Sequence, residues 1–230
     1  PAICAVAKQR DIVVMLDNTW ASPLLFRPFE HGVDISIQAA TKYIVGHSDA
    51  MLGTASANAK HWPTLREAGY LMGYCASADD VYLAARGLRT LGVRLKQHQQ
   101  NALEVVQWLQ QRPEVAHIRH PALPDNPGHA EFLRDFSGSN GLFSFVLQQG
   151  DANAVAAFIE GMQHFKMGFS WGGYESLIIA NLNVQALRTA TVWPHQGPLI
   201  RLHIGLEDPA DLIADLNQAF ARFNQALAAT

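Results

Sequence analysis

Asp17 follows five apolar residues, Ile12-Val13-Val14-Met15-Leu16, and so stands where a buried strand would open onto a loop. A carboxylate there either caps a turn or is held as a functional anion against a cation. Lys42 lies in Ala40-Thr41-Lys42-Tyr43, just beyond the β-branched run Val33-Asp34-Ile35-Ser36-Ile37. Small neighbours would strip water from its amine and favour the neutral, nucleophilic form. Taken alone, such a lysine reads as a solvated surface charge. The two residues together say more, because a lysine that forms a Schiff base and an acid that pairs with a pyridinium nitrogen are the protein's two contributions to pyridoxal phosphate chemistry.

A third candidate is Arg201 in Leu199-Ile200-Arg201-Leu202-His203-Ile204. The alternation turns Ile200, Leu202 and Ile204 one way and Leu199, Arg201 and His203 the other. A guanidinium facing away from the core suits bidentate recognition of a carboxylate, with a surface ion pair as the plainer alternative. Ser170-Trp171 precedes a Gly-Gly pair, and the tryptophan is either a packing residue or the wall of a pocket. The ten histidines do not form a metal site: His117-Ile118-Arg119-His120 lies beside a strand and lacks the helical spacing of a zinc motif. His47 and His203 read as structural hydrogen-bonding groups, and Tyr43 and Tyr174 as packing residues.

The elements that must position these residues follow from periodicity. Strands are expected at Ile12–Leu16, Val33–Ile37 and around Ala50–Ser56, the first covered on both faces as in a parallel sheet. Polar residues at strand ends place Asp17 and Thr41-Lys42 where open α/β sheets bind ligands. Ser77 and Asp80 resemble a capping box opening one long helix that ends before Pro113. Val81, Leu88, Leu91, Leu95, Leu103, Val106 and Leu109 form its apolar face, and Gly87 and Gly92 mark a bend or a close packing contact. Strands near Val115–Arg119, Leu142–Leu147, Phe165–Phe169 and Leu199–Ile204 come next, with helices at Asp151–Gly161 and after Asp208-Pro209. Leu212, Leu216, Phe220 and Phe223 are the buried stripe of the last. The long helix divides the chain into residues 1–88 and 89–230, an α/β organisation in both parts.

The 230 residues are 49% hydrophobic and 16% charged, which excludes a disordered chain or a coiled coil. A net charge of −3 carries no footprint of a nucleic-acid or membrane-surface partner, so a small ligand fits better. No apolar run approaches a bilayer span. Two isolated cysteines, Cys4 and Cys75, offer no disulfide framework, and a reducing cytoplasm is the expected home. Pro1-Ala2-Ile3-Cys4-Ala5-Val6-Ala7-Lys8 reads as the middle of a helix, as expected if the numbering starts inside a longer chain.

Asp17-Asn18-Thr19-Trp20-Ala21-Ser22-Pro23 and Ala40-Thr41-Lys42-Tyr43-Ile44-Val45-Gly46-His47-Ser48-Asp49 resemble the central motifs of the Cys/Met-metabolism family of pyridoxal phosphate enzymes, in order and spacing as well as type. Arg86-Gly87-Leu88-Arg89-Thr90-Leu91, Ser170-Trp171-Gly172-Gly173-Tyr174-Glu175-Ser176 and Leu199–Asp208 are similar to its later landmarks. Within the family, residues 86–95 and Trp171 are most similar to the bacterial cystathionine β-lyase branch.

The resemblance implies a fold type I enzyme, with part of a large domain built on a mostly parallel sheet and a C-terminal α/β domain. It implies that Lys42 holds pyridoxal 5'-phosphate and moves the Cα proton, Asp17 pairs with the pyridine nitrogen and Thr41 meets the phosphate. Arg201 would clamp the substrate carboxylate, with Ser170 and Trp171 bordering the same pocket. Ala39 departs from the pattern, since many relatives carry serine there. The implied reaction is β-elimination of an amino-acid substrate, cystathionine, in methionine biosynthesis, by a homotetramer. A γ-acting relative and a non-catalytic fragment are the alternatives. The family's phosphate loop, stacking tyrosine and residues from a neighbouring subunit belong to a region upstream of the Asp17 motif.

Overall fold

Two β-sheets organise the chain, of which the computed structural model describes residues 1–229. The chain falls into two compact units, Pro1–Val93 with Arg134–Ser139, and Arg94–Leu133 with the residues from Asn140 on. The division lies after Val93 rather than after Leu88. Arg134–Ser139 joins the first unit because Phe136 packs on Trp20 and Phe26 while Ser137 N–H donates to Leu25 O at 2.9 Å.

The first unit runs α1 (Ala2–Gln9), β1 (Met15–Asp17), α2 (Ser22–Leu25), β2 (Ile35–Ala39), β3 (Gly53–Ala57), α3 (Trp62–Leu71) and α4 (Ala78–Leu88). Its sheet has the order β1-β2-β3, with β1 parallel to β2 and β3 antiparallel. Within the described residues, Ile12–Leu16 is covered on one side only, not on the two expected. The strand is only three residues long, it is a sheet edge, and Ile12, Val13 and Met15 are exposed. Asp34 ties the approach to β1, accepting Val14 N–H at 3.0 Å and Asn58 Nδ2–H at 2.8 Å. That backbone donor holds its carboxyl below the usual range.

The expected single bent helix is two helices, α4 and α5 (Leu91–Leu109), broken at Arg89-Thr90. Ser77 caps α4 as expected, its Oγ accepting Asp80 N–H at 3.0 Å. The buried face of α4 is Ala84 and Gly87, which leaves Val81 and Leu88 about half exposed. Those two therefore do not continue the stripe of α5, whose Leu91, Leu95, Val106 and Leu109 are buried.

The second unit continues α5 with β4 (Val115–Arg119), α6 (His129–Asp135), β5 (Leu142–Leu147), α7 (Ala152–Ile159), β6 (Lys166–Met167), β7 (Leu177–Asn181), β8 (Leu199–His203) and α8 (Pro209–Ala228). Its sheet has the order β4-β5-β8-β7-β6, antiparallel except for β6-β7. Ile200, Leu202 and Ile204 are fully buried with Phe143, Phe145 and Leu147, against Val105, Phe158, Leu216 and Phe220 from the helices. Asp208 caps α8 through Ala210 N–H at 2.8 Å, with Pro209 at the first helical position. Buried Asp215 of α8 accepts N–H bonds from Gln163, His164 and Phe165 at 2.7–3.2 Å, fixing the turn into β6.

Candidate active site

Asp17, Thr41 and Lys42 are brought to one end of the first sheet. β1 and β2 are parallel, Asp17 is in register with Ile37, and Asn18 N–H extends the pairing to Ile37 O at 2.9 Å. The loop after β1 and the turn after β2 therefore leave the sheet on the same side. Asn18, buried, donates through Nδ2 to the carbonyls of Ser22 and Phe26 at 3.0 Å each, closing the turn behind Asp17.

The turn-capping alternative for Asp17 is realised, but on one oxygen only. Its Oδ1 accepts both Thr19 N–H at 2.9 Å and the Thr19 hydroxyl at 2.5 Å. Oδ2 accepts no hydrogen bond from the described residues, and the residue is exposed. Thr19 Oγ1 also accepts Ala39 N–H at 2.8 Å, and Ala39 O accepts Lys42 N–H at 3.0 Å. One buried threonine thus links the carboxylate to the turn that carries the lysine. Reasoning from residue types singles out Asp17 and misses Thr19, although the Asp-x-Thr spacing of an Asx turn is its signal.

Lys42 is half-buried on a turn closed by Val45 N–H to Ala40 O and Gly46 N–H to Lys42 O, both 2.8 Å. Gly46 takes a φ of +73°, which ends the turn without strain. Thr41 Oγ1 accepts Leu52 N–H at 2.9 Å and lies within donating distance of Leu52 O at 3.3 Å and Met51 Sδ at 4.0 Å. The first bond fixes the hydroxyl; the second is long enough to yield to a stronger acceptor such as a phosphate oxygen. Ala39 brings a backbone donor to Thr19 where a serine would add a hydroxyl.

Ser170, Trp171 and Arg201 form a second group, within the second unit. Arg201 Nη2 donates to Phe169 O at 2.8 Å and lies 3.4 Å from Gly168 O and Ser170 O. Its Nε is buried with no hydrogen-bond partner among the described residues, and burial lowers the guanidinium pKa from its usual value. A desolvated cation with an unused donor has the chemistry to accept an anion. Ser170 is exposed and Trp171 half-buried, and Gly172 and Gly173 after them are buried.

The Cys/Met metabolism PLP-dependent enzyme family model matches residues 1–221. The chain belongs to that family. It is 53% identical over 227 residues to cystathionine β-lyase of Escherichia coli, covering 96% of the chain and 58% of the relative. It is 54% identical over 215 residues to cystathionine β-lyase of Salmonella typhimurium, covering 92% and 54%. Among solved structures, cystathionine γ-synthase of Xanthomonas oryzae in complex with aminoacrylate and cysteine matches with a TM-score of 0.88 at 35% identity, over 97% of the chain and 59% of that protein. The chain spans a little over half the length of these relatives.

The α/β fold and the pyridoxal phosphate chemistry expected from the motifs are those of this family. The donor set of the first unit fits the cofactor. It offers an uncommitted carboxylate oxygen for a protonated ring nitrogen, an amine for an aldehyde and a hydroxyl for a phosphate. No helix among the described residues is long and apolar enough to cross a membrane.

Proposed function

We propose that this chain carries the lysine half of a carbon–sulfur lyase that cleaves cystathionine by β-elimination to homocysteine, pyruvate and ammonia. The observation that carries the reading is Asp17, one oxygen held by Thr19 and the other open, on the same sheet end as Lys42. Pyridoxal phosphate, when bound, supplies an electron sink for the substrate's Cα. The Asp17 carboxylate keeps a proton on the ring nitrogen and so keeps that sink strong. Lys42 would hold the cofactor through its aldehyde carbon and would serve as the base for the substrate's Cα proton. Thr41 contributes a hydroxyl to the phosphate. Arg201 binds the substrate's α-carboxylate, with Nε as the unused donor, and Ser170 and Trp171 border the space beside it.

The identity to proteins named cystathionine β-lyase, above that to the γ-synthase, supports cleavage at Cβ. The same reading carries methionine biosynthesis as the setting and a homotetramer as the assembly. The structural likeness to a γ-synthase gives the competing reading, a γ-acting enzyme. The polypeptide from the complete gene, incubated with cystathionine, decides between them. Pyruvate supports the β-lyase, 2-oxobutyrate supports γ-cleavage, and neither product from a pyridoxal-phosphate-loaded protein overturns the lyase reading.

A further inference from the structure

We infer that His203 is a positioning residue for the Ser170–Trp171 segment, holding it from the strand that carries Arg201. This rests on the reading of that segment as the substrate side of the site. Arg201 and His203 stand two residues apart on one face of β8, a strand flanked on both sides by β5 and β7. Arg201 grips the carbonyls that precede Trp171. His203 grips the two glycines on the other side of it: its Nε2 lies 3.1 Å from Gly172 N and 3.0 Å from Gly173 O. Further along, Ser176 N–H and Oγ donate to the Glu207 carboxylate at 2.7 and 2.8 Å, and Leu206 N–H donates to Tyr174 O at 2.8 Å. The segment is thus laced to β8 and its continuation on both sides of Trp171.

The imidazole is 1% exposed, so what it does for the loop is not shared with water. Gly172 N–H can only donate and Gly173 O can only accept. A single ring nitrogen therefore satisfies one of them at a time, according to whether it carries the proton. Gly172 sits at a φ of +87°, a conformation that a glycine tolerates and that the Nε2 contact helps to select. The ring packs over a glycine and beside a second imidazole. A Cβ on Gly141 would lie 3.2 Å from its Cε1 and Nδ1, and the His98 ring stands 5.2 Å away. The consequence for the proposed reaction is that His203 never touches the substrate, yet sets where Trp171 stands.

The test compares His203→Gln with His203→Asn in the polypeptide from the complete gene, loaded with pyridoxal phosphate. Both are polar and smaller than histidine. The Gln amide reaches the place of Nε2 and offers a donor and an acceptor; the Asn amide stops at the place of Nδ1. We expect His203→Gln to stay within about threefold of the parent. His203→Asn should raise the KM for cystathionine about tenfold, the scale of one lost positioning hydrogen bond, with kcat and cofactor absorbance little changed. Acrylamide quenching of Trp171, taken as the difference from a Trp171→Phe protein, should rise in His203→Asn alone. Equal behaviour of the two variants in both readouts overturns the proposal. So does a change in melting temperature without a change in Trp171 accessibility. If the parent releases no keto acid from cystathionine, the lyase reading fails, and the quenching comparison still decides the role of His203.

Discussion

Gly87 of α4 lies so close to the carbonyls of Ile44 and Val45 that a Cβ on it would stand 2.3 Å and 2.5 Å from their oxygens. Those carbonyls belong to the turn that comes after Lys42, and both are backbone atoms that no rotamer change can move aside. Gly87→Ala must therefore push α4 off the lysine turn. We expect a loss of about 1–3 kcal/mol of stability, typical of overpacking. We also expect a drop in pyridoxal phosphate occupancy at temperatures where the protein remains folded. Denaturation curves together with the cofactor's visible absorbance check this; normal occupancy at reduced stability would show that the contact does not govern the lysine.

Lys42→Ala should abolish steady keto-acid release, because neither the covalent hold on the cofactor nor the Cα base survives. Arginine at the same position should not rescue it, since a guanidinium stays protonated and non-nucleophilic. A variant with near-parent pyruvate release removes Lys42 from the proposed chemistry.

Asp17→Asn and Thr19→Val separate the two duties of the Asp17 carboxylate. The amide retains an oxygen for the Thr19 N–H and hydroxyl but carries no charge for a ring nitrogen, so the fold should hold while the rate falls at least about a hundredfold. Thr19→Val keeps the charge and removes the hydroxyl that links Asp17 to Ala39, so the rate should fall by a smaller factor, about tenfold. Unchanged rate and cofactor spectrum in Asp17→Asn would leave Asp17 as a turn cap alone.

For Arg201→Lys, substrate binding should suffer more than cofactor binding, because a point charge replaces a planar fork and no longer reaches both a loop carbonyl and a carboxylate. Titrations of KM and of cofactor affinity measure the two separately, and equal losses contradict a clamp in the substrate site.

Much of this was legible in local pattern. The alternation of Ile200 to His203 was readable because β8 is central and only one of its faces enters the apolar core. The α8 stripe and the Ser77 and Asp208 caps were likewise local features. The break at Arg89-Thr90 was not, since the apolar spacing alone did not show that Val81 and Leu88 lie exposed while Leu91 and Leu95 are buried. The exposure of Met15 was equally hidden, because apolar content does not say how many neighbours a strand has. The role of His203 depends on a loop some thirty residues earlier, and no periodicity reports a hydrogen bond at that range.

Acid should destabilise the second unit before its carboxylates titrate. Burial pushes His98 and His120 down to about 4 from an ordinary 6.5. In the folded state both stay neutral, and in the unfolded chain both bind protons as pH falls below 6.5. Stability is therefore fully present above that pH and is lost on the way down to 4, by roughly 3 kcal/mol per histidine. Urea midpoints at pH 7.5 and 5.0 should differ accordingly, and His120→Phe should flatten the slope. A midpoint independent of pH across that window contradicts the buried neutral state.

Within the 230-residue chain itself, the two units should differ in protection. The second unit encloses one continuous core in which Phe145, Phe158, Ile200, Leu202, Leu216 and Phe220 are fully buried, between a five-stranded sheet and three helices. The first has a three-stranded sheet with exposed residues along β1 and β3, and α3 buries none of its side chains. Ile12, Met15, Tyr70, Leu71 and Met72 are all exposed there, so local opening uncovers little further apolar surface and costs little. Hydrogen exchange measured by mass spectrometry should find the slowest amides in β5, β8 and α8. β1, β3 and α3 should exchange orders of magnitude faster, and the exposed edge of β1 should drive concentration-dependent self-association. Equal protection across both units would mean that packing on the first sheet contributes far more stability than its burial allows.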